Sequence, residues 1–306
     1  MKITTARQGF PMYRKAAVAM LELALCTALA STVGAQSPAD PAWQDVGRLL
    51  HGQPADGGGY VRFNFPRTDL KVTLGDVTIA PALALVSWAG FSGIPAAATV
   101  MGDIVCTETE LAPVLKALAN ANIDVTAIHD HLNGESPRLA YVHYHAMGNA
   151  ADMGRRLDGV FAMTKAPRPA VAVAAVPLTV DSAQVFDVMG KRGKAAGSVA
   201  SVSFVLVTEP IMMNGRPALP ALAYGTPIVI QQLSPTRAVA TGDFAVLAAQ
   251  VQPILRALAA AGITATAVHN HLVGAVPNVY YIHFWGDAPL PTLLHGLRAA
   301  VDAARK

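Results

Sequence analysis

The sequence predicts an α+β fold written twice: a duplicated unit of mostly antiparallel sheet plus helices, with the two repeats in a pseudo-twofold arrangement. Three observations predict it. The stretch "PVLKALANANIDVTAIHDHLNGESPRLAYVHYHAMGNA" from Pro113 returns as "PILRALAAAGITATAVHNHLVGAVPNVYYIHFWGDA" from Pro253, a shift of 140 residues with no gap. Short alternating runs such as "YVRFNF" (60–65) and "SVSFVLV" (201–207) read as half-buried strands, and Gly and Pro punctuate them. The Pro/Ala-rich "KAPRPAVAVAAVP" (165–177) reads as a connector between the copies. The expected boundaries are 1–35 for a leader, 36–168 for repeat 1 and 178–306 for repeat 2.

The leader comes first. Lys2, Arg7, Arg14 and Lys15 precede the mostly apolar run 16–35, which ends in small residues. That order is the pattern of a secretory signal peptide. Glu22 interrupts the run, and Met12 and Met20 are alternative starts. A membrane anchor is the competing reading, but the stretch is short for a span. Export is therefore expected, to a periplasmic or extracellular place. The second cysteine is Cys106, and Cys26 falls in the leader after Leu25, where a lipid-attachment motif wants a small residue. A lipid anchor is the minority alternative, and no disulfide forms within a chain cleaved after 35.

Repeat 1 then opens with a helix over 40–52: Asp40 can cap it, Pro41 suits its first position and Gly52 closes it. The segment 180–190 plays the same part in repeat 2. Several short strands fill 60–107, broken by Pro66, Gly75, Pro81 and Pro95. A helix follows to about Asn120, with Thr109 as cap and Pro113 in the first turn, where its missing N–H costs nothing. Two strands, 123–132 and 139–146, and a closing helix from about 150 complete the unit.

Of 306 residues, 53% are apolar and 14% charged, so the chain can bury a core. Of 23 basic and 20 acidic residues, four and one lie in the leader, which leaves 19 of each. The remaining chain is near neutral, so nucleic acid is not an expected partner. The membrane is expected to matter only through the leader or a lipid anchor.

The chemistry lies in the histidines. His129 and His131 share a strand face, because strand side chains repeat every two residues. An even register on the next strand brings His143 to the same face; a slip of one sends it away. Three imidazoles on one patch make an open zinc site with a fourth position for water. The 140-residue shift supplies the same trio again as His269, His271 and His283, whereas His145 becomes Trp285. Zinc or another divalent transition metal is the expected ligand, and no nucleotide cofactor is expected. "MGKRGKAAGS" (189–198) lacks the spacing of a phosphate loop and reads as a solvated turn. The matched carboxylates Asp69 and Glu209, and Asp103 and Asp243, are candidates for general-base work or for orienting the imidazoles. Against that, Asp69 can simply pair with Arg67. Tyr141, Tyr281, Phe284 and Trp285 flank these strands as core or as a stacking platform. Cys106, Ser92 and Ser136 have no base at recognisable spacing, so nucleophilic catalysis is unsupported.

"FPRTDL" (65–70), "VMGDIV" (100–105), "VTAIHDHLNGESPRLAYVHYH" (125–145) and "TAVHNHLVGAVPNVYYIHFWGDA" (266–288) together resemble the LppY/LpqO family, a domain of unknown function (DUF1259) of bacterial envelope proteins. The resemblance implies export or lipoprotein attachment and brings no activity. Three functions compete: an exported metal-binding protein that acts as a metal-dependent hydrolase, a non-catalytic envelope module for a small molecule, glycan or protein partner, and purely structural histidines between the repeats.

Overall fold

The computed structural model describes residues 37–172 and 178–305; the leader, Cys26 and part of the connector lie outside them. Repeat 1 runs α1 (Pro41–Leu50), β1 (Ala55–Asp56), β2 (Val61–Pro66), β3 (Thr73–Leu74), β4 (Val77–Thr78), α2 (Pro81–Ala84), β5 (Val86–Ile94), β6 (Ala97–Thr107), α3 (Glu108–Asn120), β7 (Asp124–His129), β8 (Leu139–Gly148) and α4 (Ala150–Phe161). Repeat 2 runs α5 (Ser182–Met189), β9 (Lys194–Ala196), β10 (Val199–Phe204), β11 (Met212–Met213), β12 (Arg216–Pro217), α6 (Pro220–Ala223), β13 (Thr226–Ser234), β14 (Arg237–Val246), α7 (Ala248–Ala260), β15 (Thr264–His269), β16 (Ala275–Val276), β17 (Tyr280–Ala288) and α8 (Leu290–Ala303). The fold is α+β and duplicated, as the sequence predicts. Among the described residues no helix is long and apolar enough to cross a membrane.

Each repeat forms one antiparallel six-stranded sheet, ordered β1-β2-β5-β6-β8-β7 in the first and β9-β10-β13-β14-β17-β15 in the second. The helices cover one face. Trp43, Val46 and Leu50 of α1 and Met153, Leu157 and Phe161 of α4 pack on Phe63, Phe65 and Phe91 of the first sheet. Leu293, Leu294 and Leu297 of α8 do the same in the second. The opposite faces turn toward each other, because two further apolar clusters mix residues of both repeats: Tyr60 and Met101 with Ile211, Met213 and Leu222, and Val77, Ile79 and Leu83 with Val239. Polar links fix the alignment. The Gln231 amide donates to Thr78 O (3.0 Å) and accepts from Ala80 N (2.9 Å), and Arg237 binds Asp76.

Two local expectations need correction. Helix α3 starts at Glu108, capped by Thr107 and not Thr109, in a box with Glu110. Pro113 therefore lies inside the helix and not in its first turn. At the end of α1, His51 takes the left-handed conformation (φ 55°), and Gly52 is required by close approach: an added Cβ would meet Phe65 at 2.8 Å.

The ungapped shift also fails upstream of Ile94. Helix α2 at 81–84 matches α6 at 220–223, and β3 at 73–74 matches β11 at 212–213, a shift of 139. The extra residue sits at a β-bulge between Gln232 and Ser234, where β13 pairs with β14. Glu209 thus stands one place beyond the structural counterpart of Asp69.

Arg67 is fully buried and holds three partners: Asp69 (2.9 and 2.8 Å), Glu110 (2.8 and 3.0 Å) and the Val105 carbonyl (2.6 Å). Glu110 also accepts from Thr107 N and Lys165 N. Arg67→Met leaves two carboxylates without their cation and should cost about 3–5 kcal/mol in urea unfolding. A loss under about 1 kcal/mol would mean that solvent replaces the guanidinium.

Candidate metal centre

Local pairing decides where the imidazoles go. In β7, a bulge between Val125 and Ala127 sets the register, after which Ala127 faces His143 and His129 faces Tyr141 on β8. Directly opposed residues share a sheet face, so His129, Tyr141 and His143 point the same way. Strand β15 repeats the device, with a bulge between Ala265 and Ala267, His283 facing Ala267 and Tyr281 facing His269. The even register that the reading needed is present. The strand itself is shorter than expected: β7 ends at His129, and His131 belongs to the turn that follows. Its ring returns to the site by stacking on Tyr141 (centroids 3.7 Å, 8° between planes). His271 lies against Tyr281 with centroids 3.5 Å apart, its ring tilted by 44°.

The two trios meet as one cluster between the sheets. His129 stacks on His269 at 4.0 Å. His131 lies against His283 at 4.2 Å, and His271 against His143 at 3.9 Å. These reciprocal pairs are what a pseudo-twofold axis between His129 and His269 requires: the second histidine of each repeat packs on the third of the other. Backbone links hold the turns in place, with the Thr266 hydroxyl donating to His131 O (2.8 Å) and the Asn133 amide to Thr266 O (3.2 Å).

The carboxylates follow the same symmetry. Asp103 pairs with His143 across β6 and β8, and Asp243 with His283 across β14 and β17. Asp243 Oδ1 lies 2.5 Å from His283 Nδ1. Asp103 Oδ2 lies 3.7 Å from His131 Nε2 and 3.8 Å from His143 Nε2. The other two candidates are not gathered here. Asp69 binds Arg67, the structural use weighed for it, and exposed Glu209 meets the Thr208 hydroxyl at 3.4 Å.

The electrostatics favour neutral rings. Burial pushes His143 down to about 3 and His269 down to about 4, with neighbouring imidazoles adding to the effect. Burial also holds His129, His131 and His271 well below the usual histidine range. Burial and then the charge of Asp243 raise Asp103 to about 7. For Asp243 burial opposes ionisation, but His283, His143 and His269 together outweigh it and keep the carboxyl below its ordinary value.

A neutral imidazole is the form that ligates metal. Both ring nitrogens of His129 and of His269, with Nε2 of His131, His143 and His283, are buried without a hydrogen-bond partner among the described residues. Buried polar atoms are normally satisfied, so such a concentration of orphans marks a place built for a further group. The ligand atoms of His129, His269 and His283 lie within 4.8 Å of one another, as do those of His129, His131 and His143 and those of His131, Asp243 and His283. The set is all nitrogen and oxygen, which fits zinc and its first-row neighbours.

The family profile described as Domain of Unknown Function (DUF1259) matches twice, at residues 44–163 and 183–303. The chain belongs to the DUF1259 family. Its two copies each contain one histidine trio and one carboxylate of the cluster, so the DUF1259 unit here carries half of a shared site. No curated protein matches the chain. Among solved structures, it is similar to the fused permuted hexameric shell protein MSM0275 from the RMM microcompartment (13% identity, 68% of this chain and 85% of that one, TM-score 0.18). EtuB from Clostridium kluyveri shows 13% identity over 83% of this chain and 90% of that one, with a TM-score of 0.22. Likenesses at that level carry no argument.

Reasoning from sequence placed one trio in each repeat. It missed the cross-repeat partners. The signal that points to them is the identical spacing of both trios beside Tyr141 and Tyr281: equal units related by a twofold axis present equal faces to each other. Cys106 is buried in the core, its thiol pushed up to about 12 mainly by burial.

Proposed function

We propose that this DUF1259 protein is exported and binds a divalent transition metal, zinc for preference, in the cluster shared by its repeats, and that it works there as a metal-dependent hydrolase. One observation carries the reading: imidazoles from both repeats converge on one spot, where both ring nitrogens of His129 and of His269 have no hydrogen-bond partner among the described residues. A bound cation would polarise a substrate oxygen and make a water molecule acidic. The chain's own residues do the positioning. His129 and His269 form the centre of the cluster, Tyr141 and Tyr281 fix the rings of His131 and His271, and Asp103 and Asp243 orient the adjacent imidazoles and balance the cation's charge. A stacking platform for a glycan has less support, because Tyr141, Tyr281 and Phe284 are buried.

The test is metal content in untagged protein, compared with a His129→Ala, His269→Ala double variant. The wild type should retain zinc, iron, copper or manganese at one or two ions per chain and the folded double variant should retain little. Equally low content in both would overturn the proposal.

A further inference from the structure

A cavity of about 790 Å³ opens beside the cluster, with His143, His271 and Asp243 in its wall. Its size suits a small organic molecule. Five cations also line it: Arg62, Lys191, Arg192, Lys194 and Arg305; the carboxylates in its wall are Asp56 and Asp243. Arg62, Lys191, Arg192 and Lys194 form no salt bridge among the described residues, and the charge of Arg62 reaches Asp103. Arg62 is nonetheless held in place. Its Nε donates to Asn64 Oδ1 (2.7 Å), an Nη donates to the Tyr60 hydroxyl (3.2 Å), and its guanidinium lies 4.0 Å from the Trp88 ring centroid.

This charge is not inherited from the duplicated framework. Gly102 pairs with Ala89 and Ala89 with Phe63, as Gly242 pairs with Ile228 and Ile228 with Val202. Ser201 therefore stands where repeat 1 has Arg62. Lys194 pairs with Ser201 as Ala55 pairs with Arg62, so Lys194 replaces an alanine. Lys191 and Arg192 follow the left-handed cap Gly190 as Gly52 and Gln53 follow His51. In a chain whose remaining charge is balanced, these cations are concentrated at the mouth of one cavity.

We infer that the cavity takes a small phosphomonoester, its phosphoryl group drawn by Arg62, Lys191, Arg192 and Lys194 toward the wall that His143, His271 and Asp243 share with the histidine cluster. Several cations suit a dianion, and a guanidinium fork matches phosphate oxygens. The inference rests on the hydrolase reading for its chemistry. There, a water oxygen bonds to phosphorus, the ester P–O bond breaks, and the alcohol leaves with one proton of that water while phosphate retains the other.

The test is calorimetric binding of phenyl phosphate to zinc-loaded full-length protein, beside benzoate and benzyl alcohol, with metal content measured in each sample. Phenyl phosphate should bind tightest. Arg62→Gln, and separately the triple variant Lys191→Gln, Arg192→Gln, Lys194→Gln at the exposed turn and start of β9, should each weaken it about tenfold or more at unchanged metal content. Equal affinity for benzoate, no loss in the folded triple variant, or no binding by metal-loaded protein would overturn the inference and leave the metal site standing. Protein that binds phenyl phosphate through these cations yet holds no metal would support the ligand assignment and overturn the hydrolase reading.

Discussion

Zinc is expected to raise the unfolding free energy of metal-free protein by about 4 kcal/mol when free zinc exceeds its dissociation constant about 1,000-fold. In the double variant His129→Leu, His269→Leu that gain should vanish, while the metal-free variant should be as stable as metal-free wild type or more so. The second half follows from the orphaned nitrogens. Both nitrogens of His129 and His269 are buried with no partner among the described residues. An unsatisfied buried polar group costs about 1–3 kcal/mol, and an apolar side chain of similar size removes that cost. A histidine that served packing alone would show the opposite: leucine would destabilise the protein, and zinc would change nothing. Urea unfolding of both proteins, with chelator and with zinc, separates the cases by sign. Loss of stability in the metal-free variant with no zinc effect in the wild type would sink the metal site.

Much of this site was legible in the sequence because its parts are local. The two-residue spacing of His129 and His131 and its echo at His269 and His271 are plain in the chain, but the even register to His143 and His283 is set by the bulges in β7 and β15, and His131 reaches the site from beyond the end of its strand. What was not legible depends on single residues or on contacts far apart in the chain. One inserted residue at the bulge near Leu233 breaks the apparent equivalence of Asp69 and Glu209. The capping box of Thr107 and Glu110 moves the start of α3 back and leaves Pro113 inside it, which a proline's preference for first turns does not foresee. The pairing of His131 with His283 and of His271 with His143 joins residues more than 120 positions apart, and no local period encodes it. The cations of the cavity were visible as "MGKRGK", but their meaning depends on Arg62 and Asp243, which the fold brings to the same wall.

Acid should unfold the metal-free protein well before it unfolds the zinc-loaded form. His143 and His269 titrate near 3 and 4 in the folded state, and His129, His131 and His271 are also depressed by burial. An unfolded histidine has a pKa near 6.5. Below that value the unfolded chain binds protons that these folded rings refuse, so stability is complete above about pH 6.5 and falls as pH falls. Each fully depressed imidazole contributes a loss of about 1.4 kcal/mol per pH unit. Asp103 works the other way: with its folded value near 7, it keeps a proton that the unfolded carboxyl has already lost, so its contribution falls as pH rises toward 7. One such group is outnumbered by five imidazoles. A domain stability of about 5–15 kcal/mol is then exhausted near pH 5. Zinc held by the neutral rings should shift the circular-dichroism midpoint to lower pH, and His129→Leu, His269→Leu should shift the metal-free midpoint the same way by removing two of the groups responsible. A metal-free midpoint below about pH 4 that neither zinc nor the double variant moves would show that these rings accept protons without strain, and that their burial is not what makes them ligands.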